Sequence, residues 1–326
     1  MRSVYYMSML LLALGAAWSS CEKDDGPKAL RNDMIKKTDG PNLVGNEIEF
    51  AYVMAVPGSK LDAAYAEASI AGAAGTGFDP NSYHTGSTGQ DIGVPVATDC
   101  TTEGGRSQAV FIDTLAATLR YRYVVPEEAR GRSVSIVFSC KAKNGETVSY
   151  RVPDQKIARM YMRKGIRVTS DDRCYISIRN MAAYTLEEVR SQGLAGEIDL
   201  IYHYRKVAGI DYGHVLLSPG TEAEYLEGAV VPEGATHVSK VEKQVYTFDR
   251  HLVIDAKNEV SAGGYSFIDD IDFETYNPGP ALSFVLNMAK CESVWVVGAD
   301  GKHRAFLQVN SVTNGGMTIS MKSYAM

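Results

Sequence analysis

The chain lacks several features that would identify a common class of protein. No apolar run after Cys21 reaches the roughly 18–20 residues that a transmembrane helix needs. Basic residues are not in excess: 33 Lys and Arg stand against 39 Asp and Glu, for a formal charge of −6. Because an acidic surface repels phosphate, we expect no nucleic-acid partner. There is no glycine period of the collagen kind, and a chain with 45% hydrophobic residues is too apolar to stay disordered.

The short motifs of common catalytic and metal sites are also missing. None of the six histidines stands in a metal-pair spacing, and neither His-Glu-x-x-His nor Cys-x-x-Cys occurs. The glycine-rich segment 72–77 is not followed by Lys-Ser or Lys-Thr, so it does not predict phosphate binding. We therefore predict a protein that is not an enzyme and needs no cofactor.

Four cysteines follow Cys21 in the chain, at Cys100, Cys140, Cys174 and Cys291. An exported chain permits disulfides, and four cysteines allow three pairings. Cys140 falls on the apolar face of a predicted strand, where a small hydrophobic residue would also fit, and this favours free thiols.

The N-terminus has the pattern of an export signal. Arg2 precedes an apolar run over residues 4–17, and small residues then lead to Cys21. This arrangement resembles a bacterial lipoprotein signal, which implies that residues 1–20 are removed and that the Cys21 thiol carries lipid. The alternative is ordinary secretory cleavage that leaves Cys21 free.

The residues directly after Cys21 indicate where such a lipoprotein would be displayed. Lys23, Asp24 and Asp25 resemble the surface-export signal of Bacteroidetes lipoproteins, which implies the outer face of the outer membrane; the alternative is a merely solvated segment. Residues 21–45 are polar and aperiodic, and they predict a flexible tether.

The rest of the chain has the period-two alternation of β-strands, bounded by turn residues. In the segment 133–152, a three-residue loop with a left-handed Gly145 would place Phe138 opposite Tyr150 and keep the apolar residues on one face. Thr185 and Glu188 form a capping box that starts a short helix. Residues 59–70 fit either a helix or a strand.

These patterns predict an all-β protein with one or two short helices. We expect two antiparallel β-sandwich domains of the immunoglobulin-like or transthyretin-like kind, over residues 46–168 and 169–326.

Several strand motifs are similar to those of a domain-of-unknown-function family of two-domain lipoproteins from gut Bacteroidetes. The motifs lie at 67–72, 93–96, 119–131, 174–178 and 198–205. The resemblance runs from about Glu47 to Tyr324 and implies surface display and sandwich domains, but no catalytic residue.

The segment 270–274 is similar to the Asp-x-Asp-x-Glu core of a chitinase-like glycosidase family, in which the last residue is the general acid. That family is a (β/α)8 barrel, and the 52 residues after Glu274 are too few for the strand–helix units that must follow. Clustered carboxylates suit Ca²⁺, which makes Asp269, Asp270, Asp272 and Glu274 a weak candidate site. We favour a solvated acidic loop between strands.

Tyrosine is abundant, with 19 residues against nine Phe and two Trp. Its apolar ring and polar tip suit surfaces that contact sugars or proteins, although a half-buried sheet position is the alternative for each one. The candidate ligand-binding residues are Tyr202, Tyr204, Tyr212, Tyr265 and Tyr276.

Together these features predict an outer-membrane lipoprotein, held by its lipid at Cys21, that binds a glycan or a host protein as an adhesin-like module. The alternative is a fimbrial-type structural subunit that assembles by strand exchange, which two sandwich domains and a stalk containing Arg31 would also suit. A hydrolase that uses the cluster 270–274 is the third hypothesis.

Overall fold

The structure is a computed structural model that describes residues 31–36, 38, 40–56, 58–207, 210–245, 248–254 and 266–326. The described residues fall into two compact units. The first unit contains residues 31–36, 49–123 and 135–153, and the second contains residues 38–48, 124–134 and 154–326. No helix within the described ranges is long and apolar enough to cross a membrane.

The first unit consists of two five-stranded antiparallel sheets. Sheet I has the order β1-β2-β8-β4-β5, and sheet II has the order β11-β10-β3-β7-β6. The strands are β1 Arg31–Lys36, β2 Glu47–Ala55, β3 Leu61–Ala68, β4 Gly77–Thr85, β5 Asp91–Pro95, β6 Ala97–Glu103, β7 Arg106–Phe111, β8 Ala116–Val124, β10 Ile136–Ala142 and β11 Thr147–Arg151.

Aromatic rings fill the core of the first unit. Phe138 of sheet II is fully buried, and its ring centroid lies 4.6 Å from that of Tyr52 and 5.3 Å from that of Tyr121, both in sheet I. The rings of Phe50 and Phe78 also surround it, at 5.6 and 6.5 Å. Alternation along each strand places these side chains on the inner faces, as the period-two pattern predicts.

The predicted hairpin register is confirmed. Phe138 pairs with Tyr150 and Cys140 pairs with Val148 across β10 and β11. The connection has three residues, because the backbone N–H of Ala142 bonds the carbonyl of Glu146. Gly145 has φ of +91°, the left-handed conformation that this loop requires.

The second unit also contains two five-stranded antiparallel sheets, together with the short pair β12-β9. Sheet III has the order β13-β22-β21-β20-β18, and sheet IV has the order β15-β14-β16-β17-β19. The strands are β9 Ser133–Val134, β12 Gln155–Lys156, β13 Tyr161–Thr169, β14 Tyr175–Ser177, β15 Ala182–Tyr184, β16 Leu200–Val207, β17 Ile210–Leu217, β18 Lys240–Gln244, β19 Phe284–Val285, β20 Ser293–Val297, β21 His303–Thr313 and β22 Gly316–Ala325.

Two short α-helices belong to this unit, α1 (Leu186–Ser191) and α2 (Asp270–Thr275), and two 3-10 helices cover Glu127–Ala129 and Ala195–Glu197. The predicted capping box is confirmed at α1, where the Thr185 side chain accepts the N–H of Glu188 and the Glu188 side chain accepts that of Thr185. The all-β prediction with two sandwiches and short helices is therefore confirmed.

Sheet III is covered on both faces. One face packs on sheet IV around residues such as Val168, Leu200 and Ile319. The other face carries a second apolar cluster that includes Phe273 of α2 and Trp295 of β20. Every residue of β20 is consequently buried, as in strands of sheets that have no solvated face.

The expected domain boundary at residue 168 differs from the division in the structure. Strand β13 pairs with β22 from Tyr161↔Ser323 to Thr169↔Gly316, so residues 154–168 belong to the second unit. The pairing partner of β13 lies about 150 residues later in the chain, and no local pattern reveals it.

The flexible tether predicted for residues 21–45 is wrong from Arg31 onward. Residues 31–36 form β1, which pairs with β2, and Leu43 is only 1% exposed. Residues 21–30 lie outside the described part of the chain. The ambiguous segment 59–70 contains β3, a strand whose alternation is masked in the sequence by its many alanines.

Candidate functional site

A pocket of the second unit brings polar side chains together on sheet IV. Its volume is about 510 Å³, including the part open to solvent. The floor contains Tyr175 of β14 and His203 of β16, and the turn at residues 170–172 forms one rim. Residues 222–231, which we call the strap, cover the opposite side through Gly228, Ala229 and Val230.

Two side chains of sheet IV fasten the strap. The guanidinium of Arg205, which is only 7% exposed, donates to the carbonyls of Tyr225 at 2.6 Å and Glu224 at 3.0 Å. The hydroxyl of Tyr175 donates to the carbonyl of Val230 at 3.0 Å. Because Arg205 and Tyr175 both donate to backbone carbonyls, their hydrogen bonds fix the path of the strap without requiring particular side chains in it.

The imidazole of His203 lies in this pocket and is held by Ser170. Its Nδ1 lies 2.9 Å from Ser170 Oγ, and that oxygen also accepts the backbone N–H of Tyr204 at 2.8 Å. Burial lowers the pKa of His203, and the charge of Arg205 lowers it further, so the ring is neutral near pH 7. When Ser170 donates its proton to Nδ1, the remaining ring proton sits on Nε2. Nε2 lies next to Gly228, 3.3 Å from the point where a Cβ would stand if residue 228 had a side chain.

Two carboxylates stand at the rim. Asp171 and Asp172 are exposed, and neither makes an ion pair with any residue that the structure describes. The apolar contribution comes from Leu186 and the ring of Tyr175. Cys174 also lines the pocket, but burial raises the pKa of its thiol, so it is not a reactive thiolate at neutral pH. The arrangement offers acceptors at the rim, a donor at the floor and apolar surface between them.

The tyrosines predicted for ligand binding on β16 and β17 are not a shared exposed platform. Tyr202 is fully buried in the core between sheets III and IV, and its hydroxyl shares a hydrogen bond of 2.8 Å with Nδ1 of His214. Tyr204 is half-buried, with its ring 5.0 Å from that of His214. Tyr212 is half-buried with the Arg205 guanidinium 5.5 Å above its ring. Tyr202 is also among the residues that line the pocket beside His203, and its role in ligand binding stays a prediction.

Tyr276 is a structural residue in the second apolar cluster. Its ring stacks on Trp295 at 4.4 Å, and its hydroxyl donates to Glu242 at 2.7 Å. Tyr265 lies outside the described residues, as do Cys21, Lys23, Asp24 and Asp25.

The acidic segment 269–274 is a helix and its cap, so the prediction of an acidic loop between strands is wrong. The Asp269 side chain accepts the N–H groups of Ile271 and Asp272, and the Asp272 side chain accepts that of Asp269. The buried Asp270 accepts the backbone N–H groups of Arg159 and Met160, at 2.8 and 3.1 Å.

The last residue of this segment, Glu274, accepts the hydroxyl of Tyr324 and lies 3.6 Å from the Arg159 guanidinium. Across the described part of the chain, no three His, Cys, Asp or Glu side chains are grouped closely enough to hold a metal ion. The carboxylates of the weak Ca²⁺ candidate are instead occupied by backbone and side-chain partners of the protein.

The four cysteines after Cys21 are free thiols in the structure, which agrees with the expectation from Cys140. Cys140 is fully buried in the first unit, and Cys174 is 7% exposed in the second.

Sequence reasoning missed His203, Asp171 and Asp172. A usable signal exists for His203, because it alternates with Tyr202 and Tyr204 and must therefore point to the opposite face of the strand. The turn residues carry no pattern of their own, and only the tertiary fold brings the strap beside them.

Comparison with known proteins places the chain in a family. Residues 27–157 match a domain of unknown function (DUF4466), and residues 158–326 match a second domain of unknown function (DUF8576). A DUF4466 family protein from Parabacteroides merdae ATCC 43184 has a crystal structure that is similar over 92% of this chain and 99% of that one, with 40% identity and a TM-score of 0.83.

Two other solved structures are much less similar. A cohesin module from a Clostridium perfringens family 33 glycoside hydrolase is 12% identical and covers 40% of this chain and 98% of its own, with a TM-score of 0.25. BcpA, the major pilin subunit of Bacillus cereus, is 8% identical and covers 91% of this chain and 67% of its own, with a TM-score of 0.28. Likenesses this weak carry no argument about function.

No curated protein matches the chain. The identity and the mutual coverage with the Parabacteroides merdae structure nevertheless establish the relationship. The chain belongs to the DUF4466 family, and its second half is a DUF8576 domain.

Proposed function

We propose that this protein is a surface-anchored binding module, not an enzyme, and that it holds a neutral saccharide in the pocket between the strap and the turn at residues 170–172. The observation that carries the proposal is the combination of two rim carboxylates, which make no ion pair with any described residue, with the imidazole of His203 in the pocket floor.

The charge of the pocket selects the class of ligand. Asp171 and Asp172 repel phosphates, sulfates and acidic sugars, whereas carboxylate oxygens accept hydrogen bonds from neighbouring hydroxyl groups. A ring N–H of His203 suits a ring or hydroxyl oxygen of a sugar. A neutral polyhydroxylated ligand satisfies both features.

The contacts of Ser170 and His203 support binding rather than catalysis. Ser170 and His203 have the spacing of a nucleophile and its base, but the serine oxygen already accepts the backbone N–H of Tyr204. This hydroxyl therefore orients the imidazole, and one of its two lone pairs is engaged by the backbone.

Binding is tested by titrating the full chain, in detergent, with neutral and acidic oligosaccharides. We expect affinity for neutral ligands only. Asp172→Asn should weaken it at least about tenfold, because a hydrogen bond to a charged group contributes roughly 1.5–3 kcal/mol. His203→Phe keeps the ring and removes the donor, and it should weaken binding by up to about tenfold, or roughly 0.5–1.5 kcal/mol.

Glu103→Gln removes an exposed carboxylate of the first unit and serves as the matched control, with unchanged affinity. The proposal fails if no neutral saccharide binds, or if the pocket variants bind as tightly as the Glu103→Gln control.

Surface display rests on Cys21 and on the Lys23, Asp24 and Asp25 sequence, and the Parabacteroides merdae relative supports the resemblance to lipoproteins of gut bacteria. Protease treatment of intact cells should remove the protein, and Cys21→Ala should release it from the membrane fraction. Protection of the wild-type protein from protease on intact cells would contradict surface display.

One observation favours the fimbrial alternative. Strand β1 is an edge strand of sheet I and comes from the N-terminal segment that contains Arg31. A segment in this position is suited to replacement by a strand from another subunit. SDS-resistant polymers that lack the segment before β2 would support assembly, and a wholly monomeric surface population would exclude it.

A further inference from the structure

A lysine and an aspartate lie in contact inside the second unit, away from the proposed pocket. Lys322 of β22 and Asp249 are both fully buried, and Lys322 Nζ lies 2.6 Å from Asp249 Oδ2. The pair sits on the face of sheet III that is turned away from sheet IV, next to the segment 266–269 that leads into α2.

Backbone groups hold both partners of this pair. The N–H groups of His251 and Ile268 donate to the two oxygens of Asp249, at 2.8 and 3.0 Å. The ammonium of Lys322 donates to the carbonyl of Ile268 at 2.7 Å and lies 3.3 Å from Nδ1 of His251. The carboxyl carbon is thus polarised by two N–H donors, and the lysine nitrogen is held against it.

Burial removes the solvation that normally prevents a lysine and an aspartate from reacting. In water the two ions are strongly hydrated, and this hydration opposes their conversion to neutral groups. Here burial lowers the pKa of Lys322, and it lowers the pKa of His251 to about 4, which leaves the imidazole neutral as a proton acceptor. Holding two reacting groups in contact also gives effective concentrations of roughly 10⁵–10⁸ M.

We propose that Lys322 and Asp249 condense to form an intramolecular amide cross-link. The ammonium gives up two protons, one directly to Asp249 Oδ2 and one by way of His251 Nδ1. The Nζ lone pair attacks the carboxyl carbon and forms the new C–N bond. The bond from this carbon to Oδ2 then breaks, and Oδ2 leaves with both protons as one molecule of water, so no other reactant is needed.

Two of the existing contacts suit the product as well as the ion pair, whereas the N–H of Ile268 loses its acceptor when Oδ2 leaves. The retained oxygen, Oδ1, keeps the hydrogen bond from the N–H of His251, and the amide N–H keeps its bond to the carbonyl of Ile268. The cross-link ties the last strand of the chain to the segment that covers sheet III, which would resist local opening at a cell surface exposed to proteases.

A second lysine pair in the same unit provides an internal comparison. Lys243 Nζ lies 2.7 Å from Glu292 Oε2, nearly the same distance, but the two side chains are 25% and 15% exposed. This pair stays hydrated, so it should remain an ordinary ion pair. The proposal therefore predicts a cross-link at the fully buried pair, Lys322 and Asp249, and none at Lys243 and Glu292.

Peptide mapping of the denatured wild-type full chain tests the proposal directly. Trypsin does not cut after an acylated lysine, so residues 244–250 and 305–326 should appear as one linked peptide, lighter than their sum by one water molecule. Lys322→Met should abolish this peptide, while Lys164→Met, which removes a partly buried lysine bonded to the carbonyl of Val253, should leave it intact.

The wild-type result alone decides the question, even if the Lys322→Met variant does not fold. Recovery of residues 244–250 as a separate peptide, with cleavage after Lys322, would overturn the proposal. A linked peptide between residues 243 and 292 would also overturn it, because burial would then not be the cause of the reaction.

Discussion

Replacing Arg205 by Met tests whether the strap forms one wall of the pocket. Methionine keeps the apolar stem but removes both guanidinium hydrogen bonds to the carbonyls of Glu224 and Tyr225. Two charged hydrogen bonds contribute roughly 3–6 kcal/mol in favourable cases. Part of this free energy is offset, because the Nε atom of Arg205 is buried with no hydrogen-bond partner among the described residues, and methionine relieves that cost. We expect strap opening to become easier by about 2 kcal/mol, or roughly 30-fold.

Hydrogen exchange measures this change where it occurs. The N–H groups of Tyr225, Leu226 and Ala229 are hydrogen-bonded within the strap, so their exchange should accelerate roughly 30-fold. Arg304→Met is the matched control: it removes an arginine that donates to the carbonyls of Phe273 and Tyr276, and it should leave the strap unchanged. Unchanged strap exchange in Arg205→Met would refute the role of Arg205 as an anchor.

Three further predictions concern stability. Phe138→Ala removes a ring that contacts four others and should destabilise the first unit by roughly 3–5 kcal/mol in urea unfolding; a loss below about 1 kcal/mol would contradict its central position. His251 is buried neutral, so its pKa falls from 6.5 in the unfolded chain to about 4. The unfolded state therefore binds more protons between these values, and the free energy of unfolding should fall as the pH drops from 6.5 to about 4. His251→Asn should reduce this dependence of the free energy of unfolding on pH, and an unaltered dependence would show that another group causes it. Asp269→Ala removes the cap of α2 and should cost about 1 kcal/mol, measured by thermal unfolding, whereas Glu274→Gln leaves the cap intact and should not mimic it.

The local features of the fold were predictable because their causes are local. The pairing of Phe138 with Tyr150 follows from alternation and a loop with left-handed Gly145, and the start of α1 follows from the Thr185 capping box. Helix α2 carried a comparable signal, since Asp269 and Asp272 have the spacing of a capping box. It was missed because the acidic run suggested a solvated loop and the second residue of the box is Asp rather than the usual Glu or Gln.

The candidate site was not predictable to the same degree, because it depends on contacts between distant segments. Arg205 and Tyr175 meet the strap about 20 and 50 residues later in the chain. Nothing near Lys322 indicates that α2 and its leading segment bury it, so it resembles the solvated lysine of an alternating strand. Tyr202 shows why an abundance of tyrosine does not locate a site, since a tyrosine in an alternating strand occupies a core position as readily as a binding face.

The most direct test of the binding proposal is a crystal structure of the protein with the tightest-binding neutral oligosaccharide. We expect a sugar between the strap and residues 170–172, with an oxygen within hydrogen-bond distance of His203 Nε2 and hydroxyl groups on the carboxylates of Asp171 and Asp172. A sugar bound elsewhere on the protein, with this pocket empty, would contradict it.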